Sequence, residues 1–286
     1  MEPLTATQAL KKGLAPEIRA FYRRVLATLG AAGVPFLVGG AYAYGHYTGL
    51  VRHTKDLDIM VRPGDCAGAL AALGAAGYRT ELTFAHWLGK AFDGEALVDV
   101  IFNSGNGVCP VDDEWFAHAV EATIFDVPVR LCPPEEIIWQ KAYIMERERY
   151  DGADVAHLLR SHGGGLDWAR LLRRFGPHWR VLLSALILFG FIYPAERDLV
   201  PDRVMADLLD RARRESAAPS KTPKTSLGTG ALDAGAPADR VCRGTLLSLR
   251  QYLPDVERFG DRDARLAEGH MTPRDLAAWT AAFEEE

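Results

Sequence analysis

Residues 34–61 read VPFLVGGAYAYGHYTGLVRHTKDLDIMV and contain two features that decide the fold. At the first, the apolar run Val34–Val38 predicts a buried strand and Ala41–Tyr47 predicts a helix, with Gly39 and Gly40 between them. Glycine lets a phosphate approach the backbone, and the start of a helix offers N–H groups and the positive end of its dipole. The pair therefore predicts a phosphate-binding turn, although two glycines also form an ordinary tight turn.

Three acidic residues form the second feature. Asp56 and Asp58 lie at the start of a predicted strand, Leu57–Val61, and Asp99 lies within another, Ala96–Phe102. Residues i and i+2 of a strand point to one face about 6.5–7 Å apart, so Asp56 and Asp58 repel each other unless a cation offsets their charge. A carboxylate inside an apolar run is costly unless it is paired or bound to metal. The acids predict a divalent metal site. Solvated acids at a strand end, or an arginine partner for Asp99, are the alternatives.

Basic residues and one further acid are candidate substrate ligands. Arg52 and Lys55 precede the acid pair, where they could contact phosphates or form a solvated loop. Lys141 lies among apolar residues of a predicted helix, Glu135–Arg149, and could bind a triphosphate or extend along the core towards solvent. Asp151 is a candidate N-cap of the next helix.

The order of elements predicts an α+β fold, a mixed β-sheet with flanking helices followed by a helical domain. Pro128 restricts the last predicted strand, Ile124–Leu131, to a sheet edge or a bulge. Residues 215–240 carry few large apolar side chains and predict a flexible linker. The predicted parts are an α/β core (1–132), a helical domain (133–214), the linker (215–240) and a C-terminal tail (241–286).

Composition narrows the class of protein. The chain has 286 residues, 48% apolar residues and a net charge of −5, which is ordinary for a globular protein and does not favour bulk attraction to nucleic acid. The longest apolar run, Val181–Tyr193, is shorter than the roughly 20 residues that span a bilayer. No signal peptide is evident. We therefore expect a cytoplasmic protein without a membrane partner.

Taken together, these motifs resemble the DNA polymerase β-type nucleotidyltransferase superfamily. Within it, they resemble the bacterial branch of AbiEii-type toxins and minimal nucleotidyltransferases, over roughly residues 15–165. The matching residues are Gly39-Gly40, Arg52-x-Thr54-x-Asp56-Leu57-Asp58-Ile59, Asp99, Pro134-Glu135-Glu136, Lys141, Arg147 and Asp151-x-x-Asp154.

The resemblance implies a nucleotidyltransferase-type fold and transfer of a nucleoside monophosphate from an NTP such as ATP, with two Mg²⁺ ions and release of pyrophosphate. Many members carry serine at the position of Gly40, and its hydroxyl helps to bind phosphate. With glycine here, phosphate binding would depend on backbone N–H groups. The resemblance implies that Asp56, Asp58 and Asp99 bind the metals and catalyse the reaction, with Asp99 at the metal nearer the acceptor, where it helps to activate the hydroxyl. It also implies that Gly39-Gly40 binds the β- and γ-phosphates, that Lys141 contacts the phosphates and that Asp151 is a support or base at the acceptor side.

The acceptor stays open at this point, since relatives use tRNA, protein or small molecules. A non-catalytic nucleotide-binding protein or a toxin–antitoxin interaction protein on the same fold is the alternative, with the tail (241–286) either docking on the body or binding a partner. A phosphohydrolase would need a His/Asp metal cluster or a nucleophilic aspartate, and the sequence shows neither pattern.

Overall fold

The structure is a computed structural model that describes residues 14–51, 54–217 and 240–282. Two compact units make up the described chain. The first unit contains the residues up to Gln140 together with those from Met271 onwards, and the second contains Lys141–His270. Arg52 and most of the predicted linker, residues 218–239, lie outside the described residues.

A sheet with helices around it forms the first unit. Its elements in chain order are α1 (Pro16–Ala31), β1 (Leu37–Val38), α2 (Gly40–Thr48), β2 (Asp56–Met60), α3 (Cys66–Ala75), β3 (Arg79–Phe84), β4 (Leu88–Asp93), β5 (Ala96–Ile101), α4 (Asp113–Ala117), β6 (Val120–Ile124), β7 (Val127–Leu131), α5 (Pro134–Lys141) and α12 (Pro273–Ala281).

The sheet is mixed. In the described part of the chain, seven strands follow the order β3-β4-β5-β2-β1-β7-β6. The β2–β5 and β1–β7 pairs are parallel and the others are antiparallel. This arrangement confirms the predicted mixed sheet with flanking helices.

Alternation along β2 and β5 divides apolar from acidic side chains. Ile59 and Val100 are fully buried and lie opposite each other in the register. Gly89 of β4 shares their row, and a methyl group there would lie 2.9 Å from Leu70 of α3. The apolar face of the sheet is therefore the one that α3 covers, and the side chains between these positions, including Asp58, point to the other face.

The predicted single strand Ile124–Leu131 is wrong, because two strands, β6 and β7, form a hairpin here. The two turn residues, Phe125 and Asp126, have φ of 51° and 64°, values that asparagine or glycine usually supplies. Phe125 is fully buried, and its ring lies 5.7 Å from that of Tyr22 and 5.2 Å from that of Tyr42. This packing offsets the backbone strain.

The position predicted for Pro128 is also corrected. Its strand, β7, lies between β1 and β6 and is not an edge of the sheet. However, β1 is two residues long and pairs with β7 at Leu131. Pro128 therefore lies beyond the β1 ladder, where its missing N–H removes no hydrogen bond to that neighbour.

The C-terminal helix α12 packs on the first unit. The Trp279 ring lies edge-on to the rings of Phe84 and Trp87, with centroids 4.8 and 5.2 Å away. The space for this ring exists because residue 105 is glycine, where a methyl group would lie 2.8 Å from the indole. A capping box at Thr272 and Asp275 defines the start of the helix.

We expect Trp279→Ala to loosen α12 while leaving the sheet folded. Losing the aromatic contacts of a half-buried ring costs about 2 kcal/mol, and this loss falls on a short terminal helix. Native-state hydrogen exchange of the backbone N–H groups of residues 274–281 measures the effect. Thr280→Ala is the matched control, since its hydroxyl bonds within the helix to the Leu276 carbonyl. Equal exchange in the two variants would contradict the packing role of the indole.

The second unit is mainly helical. Its elements are α6 (Gly152–His162), α7 (Trp168–Phe175), α8 (Trp179–Ile192), α9 (Asp202–Ala217), β8 (Val241–Cys242), α10 (Leu253–Glu257), β9 (Arg262–Asp263) and α11 (Ala264–Ala267). The stretch Trp168–Ile192 is long enough and apolar enough to cross a membrane. The core helix of a soluble protein can meet the same criteria of length and composition.

The predicted helix Glu135–Arg149 is wrong in its second half, because α5 ends at Lys141. Tertiary hydrogen bonds hold the residues that follow in another conformation. The Met145 N–H donates to the Leu247 carbonyl at 3.0 Å, and the Glu146 carboxylate accepts from Leu249 N–H at 2.7 Å and from the Ser248 hydroxyl at 2.5 Å. These contacts come from residues about a hundred positions later, so no local pattern predicts them.

Candidate metal and nucleotide site

The three acids predicted to share a site lie together. Strands β2 and β5 are parallel neighbours, and Asp58 lies opposite Asp99 in their register. Residues opposite each other point to the same face, and Asp56 lies two positions earlier on that face. One carboxylate oxygen of each acid lies within 4.8 Å of the others, so the group could hold a metal ion.

Neighbouring side chains orient the acids. The Thr54 hydroxyl donates to Oδ1 of Asp56. The Tyr22 hydroxyl donates to the Lys55 carbonyl at 3.1 Å, which holds the backbone directly before the acid pair. The Lys90 ammonium lies 3.4 Å from Oδ1 of Asp99, close enough for an ion pair but not aligned as a hydrogen bond.

The charges at this site influence the titration of nearby groups. Burial raises the pKa of Asp99, and the charge of Asp56 raises it further, whereas Lys90 lowers it in part. Burial also raises the pKa values of Tyr22 and Tyr42, and the charges of Asp56 and Asp58 add to both shifts. The acids therefore form a strongly negative centre on a face of the sheet that is partly shielded from solvent.

The glycine turn lies against this centre. Gly40 has φ of +51°, and a Cβ there would lie 1.6 Å from Oδ2 of Asp58. The Gly39 N–H donates to the Asp58 carbonyl at 2.9 Å, so it belongs to the sheet. Helix α2 begins at Gly40, and the first N–H groups of a helix have no partner within it. The start of α2 therefore presents N–H groups next to the carboxylates.

Lys90 is a site residue that the sequence analysis does not predict. It lies in β4 opposite Asp99, a position that depends on an unpredicted strand. Residues 88–93 read LGKAFD and do not alternate between apolar and polar side chains, so no local pattern predicts a strand there. Of the two basic residues predicted beside the acids, Lys55 is exposed, while Arg52 is outside the described residues.

Lys141 and Asp151, predicted as substrate ligands, bond to each other in the second unit. The Lys141 ammonium lies 2.6 Å from Oδ2 of Asp151 and 2.8 Å from Oδ2 of the buried Asp154. Arg149 also donates to Asp151. Asp151 is the N-cap residue of α6, as predicted, but its side chain makes no capping hydrogen bond. A contact of Lys141 with nucleotide stays a prediction.

We expect Lys141→Met to lower the free energy of unfolding by about 2–4 kcal/mol at pH 7, because the buried Asp154 loses its ammonium partner. Burial alone would raise the pKa of Asp151, but hydrogen bonds from Arg149 and Lys141 lower it. This stabilisation is present above the unfolded pKa of about 3.9 and is lost as the pH falls through the lowered value.

Urea unfolding of wild type and variant across the range from pH 7 to pH 3 measures both effects, and the difference between the two proteins should shrink below about pH 4. Lys55→Met is the control, since its side chain is exposed. A Lys141→Met protein as stable as wild type at pH 7 would show that these ion pairs contribute nothing.

The chain is similar to several known proteins. Residues 14–183 match the sequence model of a family described as uncharacterised nucleotidyltransferases. No curated protein matches the chain. Similar solved structures include the antibiotic-resistance factor ANT(2″)-Ia, which is 20% identical over 62% of this chain and 99% of that chain with a TM-score of 0.40. The lincosamide antibiotic adenylyltransferase LnuA, bound to lincomycin, is 15% identical over 51% and 96% (TM-score 0.36), and JHP933 from Helicobacter pylori is 14% identical over 71% and 98% (TM-score 0.36).

Proposed function

Because this chain belongs to the uncharacterised nucleotidyltransferase family, we propose that it transfers a nucleoside monophosphate from an NTP to an acceptor hydroxyl. The observation that carries the proposal is the convergence of Asp56, Asp58 and Asp99 beside the start of α2. In the reaction, the acceptor oxygen forms a bond to the α-phosphorus. The bond between that phosphorus and the oxygen that bridges to the β-phosphate breaks, and pyrophosphate leaves.

The donor set fits two Mg²⁺ ions held by these three acids. Carboxylate oxygens and substrate phosphates are the ligands that Mg²⁺ prefers. The buried Oδ1 of Asp99 makes no hydrogen bond among the described residues, and Lys90 brings one positive charge towards three negative ones. Bound Mg²⁺ supplies charge neutralisation for the triphosphate and lowers the pKa of the attacking hydroxyl.

In this proposal the position of each residue determines its role in the reaction. Asp99, which is half-buried and lies beside Lys90, is proposed to act on the acceptor side, where its carboxylate takes the proton of the hydroxyl. The Gly39-Gly40 turn and the first N–H groups of α2 bind the β- and γ-phosphates. Exposed Lys55, together with Arg52, attracts the triphosphate. The roles implied for Lys141 in phosphate contact and for Asp151 at the acceptor stay predictions.

Incubation with α-labelled NTPs and Mg²⁺ tests the function. The full-length chain is mixed in turn with tRNA, with cell protein and with a small-molecule fraction, and mass spectrometry identifies any product that gains one NMP. We expect transfer to one of these three classes, together with stoichiometric pyrophosphate. Chelation of the metal should abolish it.

Asp58→Asn is the specificity control, since it removes one negative charge while keeping the side-chain shape. Transfer that persists unchanged in this variant would overturn the assigned mechanism. NTP binding without transfer to any fraction would favour the alternative of a non-catalytic nucleotide-binding or toxin–antitoxin protein on the same fold.

The remaining expectations concern location and partners. We propose that the protein acts in the cytoplasm, where NTPs are abundant. The resemblance to the branch of AbiEii-type toxins stays a prediction, and so does a protein partner of the tail. Of the described tail residues, 240–270 belong to the second unit and 271–282 to the first.

A further inference from the structure

We propose that His178, Glu268 and His270 form a Zn²⁺ site in the second unit. His178 is buried and lies in the turn between α7 and α8, and the other two residues directly follow α11. Nε2 of His178 lies 2.8 Å from Oε2 of Glu268, and Nε2 of His270 lies 3.4 Å from the same oxygen. One ligand atom of each residue lies within 4.8 Å of the other two.

The ligand types and their spacing suit Zn²⁺. Two imidazole nitrogens and one carboxylate oxygen are a common set for this ion, with a water molecule as the fourth ligand. Bond lengths of about 2.0–2.2 Å in a tetrahedral arrangement place the ligand atoms about 3.3–3.5 Å apart. The separation of 3.4 Å between His270 and Glu268 fits directly. The distance of 2.8 Å between Nε2 of His178 and Oε2 of Glu268 is too short for two ligands of one ion. The carboxylate must therefore move away by about half an ångström when the ion binds.

Groups behind the ligands orient them. The Tyr143 hydroxyl lies 2.9 Å from Nδ1 of His178. When Nδ1 carries the ring proton and donates it to the tyrosine oxygen, Nε2 presents its lone pair to the ion. Arg243 donates to Oε1 of Glu268 at 2.5 Å, which leaves Oε2 to face the two imidazoles.

Neutral imidazole and ionised carboxylate are the forms that bind Zn²⁺, so binding at these three residues should weaken at low pH.

Such an ion would join two distant parts of the chain. The pair of His178 and Glu268 spans 90 positions and links the α7–α8 turn to the segment that follows residues 218–239. An ion that binds the folded state and not the unfolded chain stabilises the fold by mass action. The site would therefore hold residues 240–270 on the helices of the second unit.

Zn²⁺ titration of the chelator-stripped, full-length chain tests the site, carried out in the Asp58→Asn background to weaken binding at the three acids. We expect one equivalent of Zn²⁺ to bind, to raise the melting temperature, and to be replaced by Co²⁺ with the visible absorption of a tetrahedral complex. His270→Asn and Glu268→Gln should abolish this binding. Tyr143→Phe, which removes the hydroxyl behind His178, should weaken it about 10–100-fold.

Two further variants keep the result unambiguous. His118→Asn changes an exposed histidine of the first unit and should bind Zn²⁺ like the parent. His270→Cys supplies another zinc ligand and should retain the equivalent. If the parent binds no stoichiometric Zn²⁺, or if His270→Asn binds as well as the parent, the three residues are a hydrogen-bonded cluster and the proposal is wrong.

Discussion

Replacing Asp58 by asparagine is expected to lower the rate of nucleotidyl transfer by about 10³-fold or more, which corresponds to about 4 kcal/mol of transition-state stabilisation. Asparagine keeps the shape of the side chain and removes its charge. Asp58 is central to the site, because it lies opposite Asp99 in the register and against Gly40 at the start of α2. The rate of label transfer at saturating NTP measures the loss.

The same substitution should leave stability unchanged or raise it, since it relieves repulsion among three neighbouring carboxylates. Asp93→Asn is the matched control. Asp93 lies at the end of β4, where its half-exposed side chain pairs with Arg24, and such surface pairs contribute little. A folded Asp58→Asn protein that transfers at the wild-type rate would refute the assigned site.

Replacing Gly40 by alanine is expected to lower the transfer rate by at least about 100-fold, because a displacement of about 1 Å at a reacting centre costs that much. The added methyl group would lie 1.6 Å from Oδ2 of Asp58, so the carboxylate must move away. The same collision applies to serine at this position in this structure. Rates of transfer and the affinity for NTP measure the change.

Gly49→Ala is a control that separates the effect of backbone strain from the effect of the collision with Asp58. Gly49 has φ of +72°, but a methyl group there meets no described atom within 4 Å. This control should therefore lose about 1–2 kcal/mol of stability through backbone strain and keep its activity. If Gly40→Ala and Gly49→Ala retain equal activity, Gly40 has no role in positioning Asp58.

Local patterns predicted the strands that carry the acids. Strand β2 was predicted at Leu57–Val61 and lies at Asp56–Met60, and β5 was predicted one residue too long. Period-two alternation and the cost of an acid in an apolar run are properties of neighbouring residues, so one sequence is enough to detect them. The same holds for the helix that follows the glycine turn.

Contacts between distant residues escaped prediction. Lys90 belongs to the site through β4, a strand that no alternation of apolar and polar residues predicts and whose Gly89 accommodates Leu70 of α3. The hairpin turn at Phe125 lacks the usual asparagine or glycine, and burial of its ring replaces that local signal. In each case packing against a residue far along the chain offsets a residue type that is unfavourable for the local backbone conformation.

The amino-acid sequence by itself determined which residues could carry chemistry, because side-chain type, alternation and burial cost act over a few neighbouring positions. The tertiary structure alone decided that Asp58 stands opposite Asp99 and that Gly40 touches Asp58. Register between strands is set by the packing of the whole sheet, and a slip of one residue would send Asp99 to the opposite face.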